Sequence, residues 1–236
     1  MKLLLLCAFM EEKQAFLDTH TQLKQQKHGH FQYYSGLVHT HEVTLICTGV
    51  GTTNAAIIAT AFCEFLKPNL ILFGGTAGGL LAGQKMGDLV IADSILDIDL
   101  YNLPNIIAGS PFESCLDHPH LKKPFETIYH LTPSYVKLAE NVKMDKITTG
   151  FIVTSNVFPL PIQHLGIIKA HNCHAIEMES SGICRAAELY DTPVVIIRAV
   201  SNIIDNKGDD LGTPDQAISE CSKRLTAFFE KFIKLL

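Results

Sequence analysis

Two acidic residues in the last third of the chain, Glu177 and Glu179, are candidates for chemistry because they flank Met178 in an apolar stretch. A carboxylate buried without partners is costly, so such groups usually pair with a cation, accept hydrogen bonds or bind a ligand. The same residues stand at the start of a predicted helix, where the helix dipole favours acidic side chains. The local sequence therefore allows either a binding role or a helix-terminal role.

Three predicted strands end in polar or glycine-rich residues. The strand predicted at 193–201 ends at Ser201 and Asn202, and the first strand is followed by Glu11 and Glu12. The strand predicted at 69–74 is followed by Gly-Thr-Ala-Gly-Gly at 75–79. Ligands of open α/β sheets bind beyond the carboxyl ends of the strands. If these strands are parallel neighbours, their polar residues converge on one pocket. Taken alone, Glu12 is better explained as a carboxylate that the dipole favours at a helix start.

The elements that must position these residues alternate between strand-like and helix-like periodicity. This alternation predicts a single α/β domain over 1–236, with helices on both faces of a sheet. Residues 75–79 are predicted to be a glycine-rich turn, and residues 100–130 a long irregular excursion that contains several prolines. Strands are predicted at 2–7, 30–37, 42–48, 69–74, 88–93, 147–154 and 193–201, and helices at 11–25, 52–66, 161–171, 178–190 and from 213 onward.

Two of these helices carry further signals. The helix at 52–66 begins with threonines that can cap it, and it is apolar on nearly all sides, which favours a homodimer. The final helix has Thr213 as predicted N-cap, Pro214 at its first position and Gln216 completing a capping box.

The composition favours a small-molecule partner. The chain has 19 Lys+Arg against 24 Asp+Glu, without a basic patch, which argues against nucleic acid and anionic membranes. No segment reaches the roughly 20 apolar residues that span a bilayer, and the apolar run in residues 1–7 is too short for a secretory signal. The seven scattered cysteines form no Cys-x-x-Cys pair, which predicts a reducing cytoplasm rather than a disulfide scaffold.

Two sets of residues that suggest a metal or a cofactor are better explained otherwise. His-x-His occurs at 28–30, 39–41 and 118–120, but no further ligands complete a zinc set, so surface loops and strand ends are expected. The segment Gly49-Val-Gly51 resembles a dinucleotide fingerprint, but Asn54 replaces the third glycine and the downstream acid is absent. We predict a tight turn there, no metal and no cofactor.

An ordered series of motifs runs over most of the chain. In sequence order it comprises Ala8–Glu12, Thr48–Gly51, Asn54–Ala56, Pro68–Leu72, Gly75–Leu80, Gly87–Ile91, Asp97–Asp99, Glu177–Glu179 and Arg198–Ser201. By these motifs the sequence resembles the 5′-methylthioadenosine/S-adenosylhomocysteine nucleosidases of the nucleoside phosphorylase superfamily.

That resemblance implies a three-layer α/β/α sandwich around a mixed central sheet, usually dimeric, and a cytoplasmic enzyme of methionine salvage. It implies hydrolysis of the N-glycosidic bond of a purine nucleoside with a 5′-thio substituent. Glu12 falls on the general base that activates water, and Glu179 on the residue that binds the ribose hydroxyls. The other expected pocket residues are Met178 against the sugar, Phe158 on the base, Thr76, Ala77 and Gly78 on the ribose and water side, and Glu177 and Ser201.

One position departs from the resemblance. The family's nucleosidases have Asp, which protonates or hydrogen-bonds N7 of the leaving purine, where this chain has Asn202. An amide cannot donate a proton, but it can pair with adenine through one N–H and its carbonyl, or offer two N–H groups to N7 and a 6-oxo group. Asn202 is therefore expected to act on the base, and the identity of the base stays open.

Three functional hypotheses follow. The first is a 5′-thio-nucleoside hydrolase, in which water is the nucleophile because the stretches 3–12 and 70–75 lack the arginines with which related phosphorylases hold phosphate. The second, favoured by Asn202, is a 6-oxopurine nucleoside hydrolase similar to futalosine hydrolase. The third is a weakly catalytic nucleoside-binding protein.

Overall fold

The computed structural model describes residues 1–116, 120 and 125–236. Within this part of the chain, ten strands form one mixed sheet. The strands are β1 (Lys2–Cys7), β2 (Lys24–His28), β3 (Phe31–Val38), β4 (His41–Cys47), β5 (Leu70–Gly79), β6 (Leu89–Asp97), β7 (Ile128–His130), β8 (Ile147–Thr154), β9 (Ala175–Glu177) and β10 (Val194–Ile203). The helices are α1 (Met10–Thr19), α2 (Thr52–Leu66), α3 (Leu103–Ile107), α4 (Pro133–Glu140), α5 (Leu165–Ala170), α6 (Ser180–Leu189) and α7 (Ala217–Leu235).

The sheet brings the three strands that end in polar residues side by side. β1 pairs with β5 in parallel, and β5 pairs with β10 in parallel. The strand order is β10-β6-β8-β9-β5-β1-β4-β3-β2, and the additional pairing of β10 with β5 closes the first five strands into a ring. The predicted convergence of these strands on one edge is confirmed.

Alternation along β1 divides the core between two helical layers. Leu4 and Leu6 point into a cluster with α2 and α6, whereas Leu3 and Leu5 point into a cluster with α4 and α7. The opposite faces of one strand thus bury apolar side chains against different helices, as the period of two requires. The predicted α/β/α sandwich around a mixed sheet is confirmed. No helix among the described residues is long and apolar enough to cross a membrane.

Several predicted boundaries were wrong near the site. β5 continues through Gly79, so the segment 75–79 is strand and not a turn, because it pairs with β10 on one side. β10 itself continues to Ile203, two residues beyond the predicted end at 201, which places Asn202 within the strand. The register of β10 against β5 shifts between Val200 and Asn202, and this bulge re-aims the side chains around Ser201.

The predicted helix ends also differ. Helix α1 stops at Thr19, and the residues predicted to extend it to 25 lead into β2. Helix α2 has Gly51 as its N-cap without a side-chain cap, and the Thr52 hydroxyl donates to Asn156 Oδ1. Helix α7 begins at Ala217 without a side-chain cap, so the capping box from Thr213 is wrong.

The segment 100–130, which was predicted to be irregular, contains short helices and a strand in its described part. It contains α3, a 3₁₀ turn at Glu113–Leu116 and the short strand β7, which pairs with β6. Of the His-Pro-His motif at 118–120, His118 and Pro119 lie outside the described residues.

Candidate active site

A cleft of about 220 Å³ lies at the carboxyl ends of β1, β5 and β10. Its polar side is formed by acidic, hydroxyl and amide side chains, and its opposite wall is apolar. The cleft brings together all ten residues predicted for the site, namely Glu12, Thr76, Ala77, Gly78, Phe158, Glu177, Met178, Glu179, Ser201 and Asn202. A volume of this size fits part of a small organic molecule and not a macromolecule.

Glu12 is held by three backbone amides at the end of β1 and β5. Its Oε2 accepts from the N–H groups of Ala8 at 2.8 Å and Phe9 at 3.4 Å, and its Oε1 accepts from the N–H of Thr76 at 2.7 Å. Burial raises the pKa of the Glu12 carboxyl, opposed by the nearby charge of Arg198 and by these amides. The result is a fixed carboxylate with enhanced basicity that faces the cleft.

The charge at the centre of the site is Arg198, a completely buried side chain of β10. Its Nη2 donates to Glu177 Oε2 and, at 3.2 Å, to Glu179 Oε2, and its Cζ lies 4.1 Å from the centre of the Phe73 ring. A Cβ at Gly75 would overlap Arg198 Nη1 and lie 3.0 Å from Glu12 Oε1. Only glycine at position 75 leaves room for the arginine beside the first carboxylate.

The two glutamates of the 177–179 segment have different surroundings. Glu177 accepts from the Thr154 hydroxyl at 2.5 Å and from the backbone N–H groups of Glu179 at 3.0 Å and Ser180 at 3.0 and 3.1 Å, in addition to Arg198. Both of its oxygens are therefore engaged by the protein, at the start of α6. Glu177 therefore has the helix-terminal role that the sequence allowed, and it also forms an ion pair with Arg198.

Glu179 is less completely satisfied. It accepts from the backbone N–H of Gly51 at 3.0 Å and from Arg198. Burial raises the pKa of Glu179 to about 7, with the charge of Arg198 acting against the rise and that of Glu177 adding to it. Each of its oxygens keeps a free acceptor position at the cleft, which suits a ligand that donates two hydrogen bonds, such as a diol.

Asn202 lies at the far side of the cleft, after the bulge in β10. Its Oδ1 accepts from the Ser201 hydroxyl at 2.8 Å, and its Nδ2 donates to Asp210 Oδ1 at 2.8 Å. The Ser201 hydroxyl also lies 3.3 Å from the Ala77 carbonyl oxygen. The amide is thus held by neighbours on both sides.

The apolar wall consists of side chains that have little polar capacity. Phe158 is 62 % exposed, so its ring has a face available to a flat ligand, and Met178 lies between the two glutamates. The segment before Phe158 is held by Asp99, which accepts from the Ser155 hydroxyl at 2.8 Å and the Asn156 N–H at 2.6 Å. The rest of the wall comprises Phe9, Val50, Val157, Leu160, Ile176 and Ile204.

Two residues of the site were missed as functional candidates. Arg198 was noted only as part of a motif, although an arginine in the apolar run Val-Val-Ile-Ile-Arg-Ala-Val is itself a signal, because a buried cation requires carboxylate partners. Asp210 had no signal, because its contact with Asn202 depends on how the following loop folds back. Among the described residues, no group of three or more His, Cys, Asp or Glu is arranged to hold a metal ion.

Comparisons with known proteins agree with this fold. The family model of the phosphorylase superfamily matches residues 2–234. The 5′-methylthioadenosine/S-adenosylhomocysteine nucleosidase of Staphylococcus haemolyticus is 30% identical over 235 residues, which cover 96% of this chain and 97% of the relative.

Among solved structures, the S-adenosylhomocysteine nucleosidase of Streptococcus pyogenes in complex with 5-methylthiotubericidin has a TM-score of 0.78 at 25% identity and covers 100% of this chain and 97% of its own. A futalosine hydrolase mutant of Helicobacter pylori has a TM-score of 0.79 at 17% identity, with 100% of both chains covered, and shares the fold. The chain belongs to the phosphorylase superfamily and, within it, to the 5′-methylthioadenosine/S-adenosylhomocysteine nucleosidases. It is a purine nucleosidase.

The raised pKa of Glu179 predicts a pH dependence of stability. The pKa of its carboxyl is about 7 in the folded protein against an ordinary value of 4.5. Between these pH values the folded state therefore keeps a proton that the unfolded state has released. The free energy of unfolding should therefore fall as pH rises from about 4.5 to about 7. In Glu179→Gln this fall should be smaller by on the order of 2 kcal/mol, measured by urea unfolding at several pH values in that interval. The exposed residue Glu140 provides the control, Glu140→Gln, which should keep the wild-type slope. An unchanged slope in Glu179→Gln would contradict the assignment.

Proposed function

We propose that this protein hydrolyses the N-glycosidic bond of a 5′-methylthioadenosine- or S-adenosylhomocysteine-type nucleoside, and releases the free base and a 5-thioribose derivative. The observation that carries the proposal is the convergence of the Glu12 carboxylate and the Arg198–Glu179 pair opposite an apolar wall. The relative from Streptococcus pyogenes was solved with 5-methylthiotubericidin, which supports a thio-nucleoside in this cleft.

In the proposed reaction, Glu12 is the general base. The C1′–N9 bond breaks, its electron pair leaves with the purine, and the sugar becomes an oxocarbenium-like cation. Water adds to C1′ while the Glu12 carboxylate takes the proton of that water. The amides of Ala8, Phe9 and Thr76 fix the carboxylate in place, and its raised pKa improves it as a base.

Glu179 is proposed to bind the 2′- and 3′-hydroxyls of the ribose. Its free acceptor positions face the cleft, and a carboxylate beside the sugar also stabilises the positive charge that develops there. Glu177 lines the same cleft, but its oxygens are occupied by the protein. We assign Glu177 the role of orienting Arg198 and the first turn of α6, rather than direct contact with the sugar.

The remaining pocket residues are proposed to shape the binding of base and sugar. Phe158 would stack on the purine, and Met178 would pack against the ribose. Thr76, Ala77 and Gly78 would line the ribose and water side, with Ser201 beside Ala77.

Water rather than phosphate is the proposed nucleophile. Of the described residues that line the cleft, Arg198 alone is cationic, and it is already paired with two glutamates. A phosphate dianion placed beside Glu12 and Glu179 would meet carboxylates instead of free arginines, which is unfavourable.

Asn202 is proposed to donate a hydrogen bond to N7 of the leaving base, which then takes its proton from solvent. Because an amide does not supply the proton itself, the reaction loses a factor of about 10²–10⁴ relative to one with a general acid. An amide whose two N–H groups both face the base would suit N7 and O6 of a 6-oxopurine, which makes a 6-oxopurine nucleoside hydrolase of the futalosine hydrolase type the second candidate.

A panel of nucleosides tests the proposal. The purified protein should release adenine from methylthioadenosine and S-adenosylhomocysteine, followed by chromatography of the free base. Release of hypoxanthine from inosine or futalosine alone would support the second candidate. Binding of methylthioadenosine without release of any base would contradict hydrolysis.

The role of Glu12 predicts a separation of binding from turnover. Glu12→Gln should lower kcat on methylthioadenosine by about 10²–10⁴-fold, because the amide cannot accept the proton of water, while the Kd of the nucleoside changes little. The neighbouring exposed residue gives a matched control, Glu11→Gln, which should retain wild-type kcat. Unchanged kcat in Glu12→Gln would remove Glu12 from the mechanism.

We further propose that the protein acts as a single-domain enzyme of methionine salvage in the cytoplasm, without a cofactor, and as a homodimer.

Helix α2 supports the dimer, because Ile57 is 55 % and Phe65 40 % exposed in the single chain. Sedimentation should give about twice the chain mass of 26.0 kDa. Sedimentation as a monomer at micromolar concentration would contradict the proposed homodimer.

A further inference from the structure

The loop after β10 folds back onto the end of that strand. The Leu211 N–H donates to the Ile203 carbonyl at 3.0 Å, and Ile204 and Asp210 form an isolated antiparallel bridge. This pairing brings Asp210 across from Asn202, where its Oδ1 accepts from Asn202 Nδ2 at 2.8 Å and from the Gly212 N–H at 3.0 Å. The Asp210 carboxylate is thus fixed beside the amide that faces the purine site.

The Asp210 carboxylate determines which way the Asn202 amide points. An ionised carboxylate only accepts hydrogen bonds, so the NH₂ end of the amide must face Asp210. The opposite orientation would place two acceptor oxygens, one of Asn202 and one of Asp210, against each other. The orientation therefore follows from the chemistry of the neighbours.

The hydrogen-bond capacity of Asn202 can then be counted. A primary amide has two N–H donors and two acceptor positions on its oxygen. Asp210 takes one donor, and the Ser201 hydroxyl takes one acceptor position. One donor and one acceptor position remain for a ligand.

The remaining donor and acceptor position of Asn202 match one class of purine. Adenine presents the N7 acceptor and the 6-amino donor along its outer edge, whereas a 6-oxopurine presents two acceptors there, N7 and O6. The remaining donor and acceptor position of Asn202 complement the edge of a 6-aminopurine. A 6-oxopurine requires two donors, and its O6 atom would lie against the Oδ1 atom of Asn202.

We infer that Asp210 is a specificity-determining residue, which makes the cleft select 6-aminopurine over 6-oxopurine nucleosides by holding one N–H of Asn202. It acts through Asn202 and is a positioning residue, not a catalytic one. The inference rests on the proposed function, because it assigns the purine edge to the side of the cleft that Asn202 occupies.

The test compares two substrates that differ only at the 6-position, 5′-methylthioadenosine and 5′-methylthioinosine. In Asp210→Ala the second N–H of Asn202 becomes available to O6, so the ratio of kcat/KM for the amino over the oxo substrate should fall. We expect a fall of about 5- to 150-fold, which is the usual discrimination of a bidentate base contact converted at about 1.4 kcal/mol per factor of ten. The control is Asp209→Ala, which removes an equal charge from an exposed neighbour in the same loop and should keep the wild-type ratio.

The ratio separates specificity from loop structure. If Asp210→Ala lowers kcat/KM for both substrates by the same factor, Asp210 serves only the fold of the loop and the inference is overturned. If the wild type cleaves neither nucleoside, the proposed function fails, and the inference is then judged on free bases.

Binding of the free bases to the wild type requires neither a variant nor turnover. The Kd of adenine should be lower than that of hypoxanthine by about 5- to 150-fold, measured by calorimetry. Equal Kd values for the two bases would overturn the inference even where the nucleoside is hydrolysed as proposed.

Discussion

The guanidinium of Arg198 is the buried charge on which the rest of the site depends. Moving such a group out of water costs several kcal/mol unless charged partners and hydrogen bonds compensate. Glu177 and Glu179 accept hydrogen bonds from the guanidinium, and the nearby charge of Glu12 attracts it. The Phe73 ring lies 4.1 Å from its Cζ. Removal of either directly paired glutamate would take away one of the two ion pairs of Arg198. The positions of three strands and of helix α6 are tied to this one side chain.

The same cluster has an excess of negative charge, since three carboxylates surround one guanidinium. That excess is unfavourable while no cation faces it. Burial raises the pKa of both Glu12 and Glu179, and for Glu179 the charges of Glu177 and Glu12 add to the rise. The excess of negative charge becomes favourable when a cationic sugar forms in front of it, which is the condition for stabilising a transition state more than a ground state. The same three carboxylates therefore account both for the cost of burying negative charge and for the proposed stabilisation of the cationic sugar.

The base side of the cleft depends on directional hydrogen bonds to an amide rather than on a buried ion pair. The bulge after Val200 re-aims Ser201 and Asn202, and the loop that returns to Ile203 supplies Asp210. A change of Asp to Asn at one position need not simply remove a function when a carboxylate from elsewhere in the chain approaches the new amide. The recognition of the base then depends on how donors and acceptors are shared among three side chains.

Apolar periodicity predicted the α/β class, and the resemblance carried by the ordered motifs predicted the sandwich, the family and the ten residues that meet in the cleft. Both signals can be read from short stretches of sequence. Local preferences did not show where β5 and β10 end, since Gly75–Gly79 is held as strand by pairing with residues 198–203 of β10, with the bulge at Ser201. The sequence also could not show that Arg198 joins Glu177 to Glu179, or that Asp210 reaches Asn202. Those contacts join residues through strand pairing, a bulge and a returning loop, and only the tertiary structure fixes the distances on which hydrogen bonds and pKa values depend.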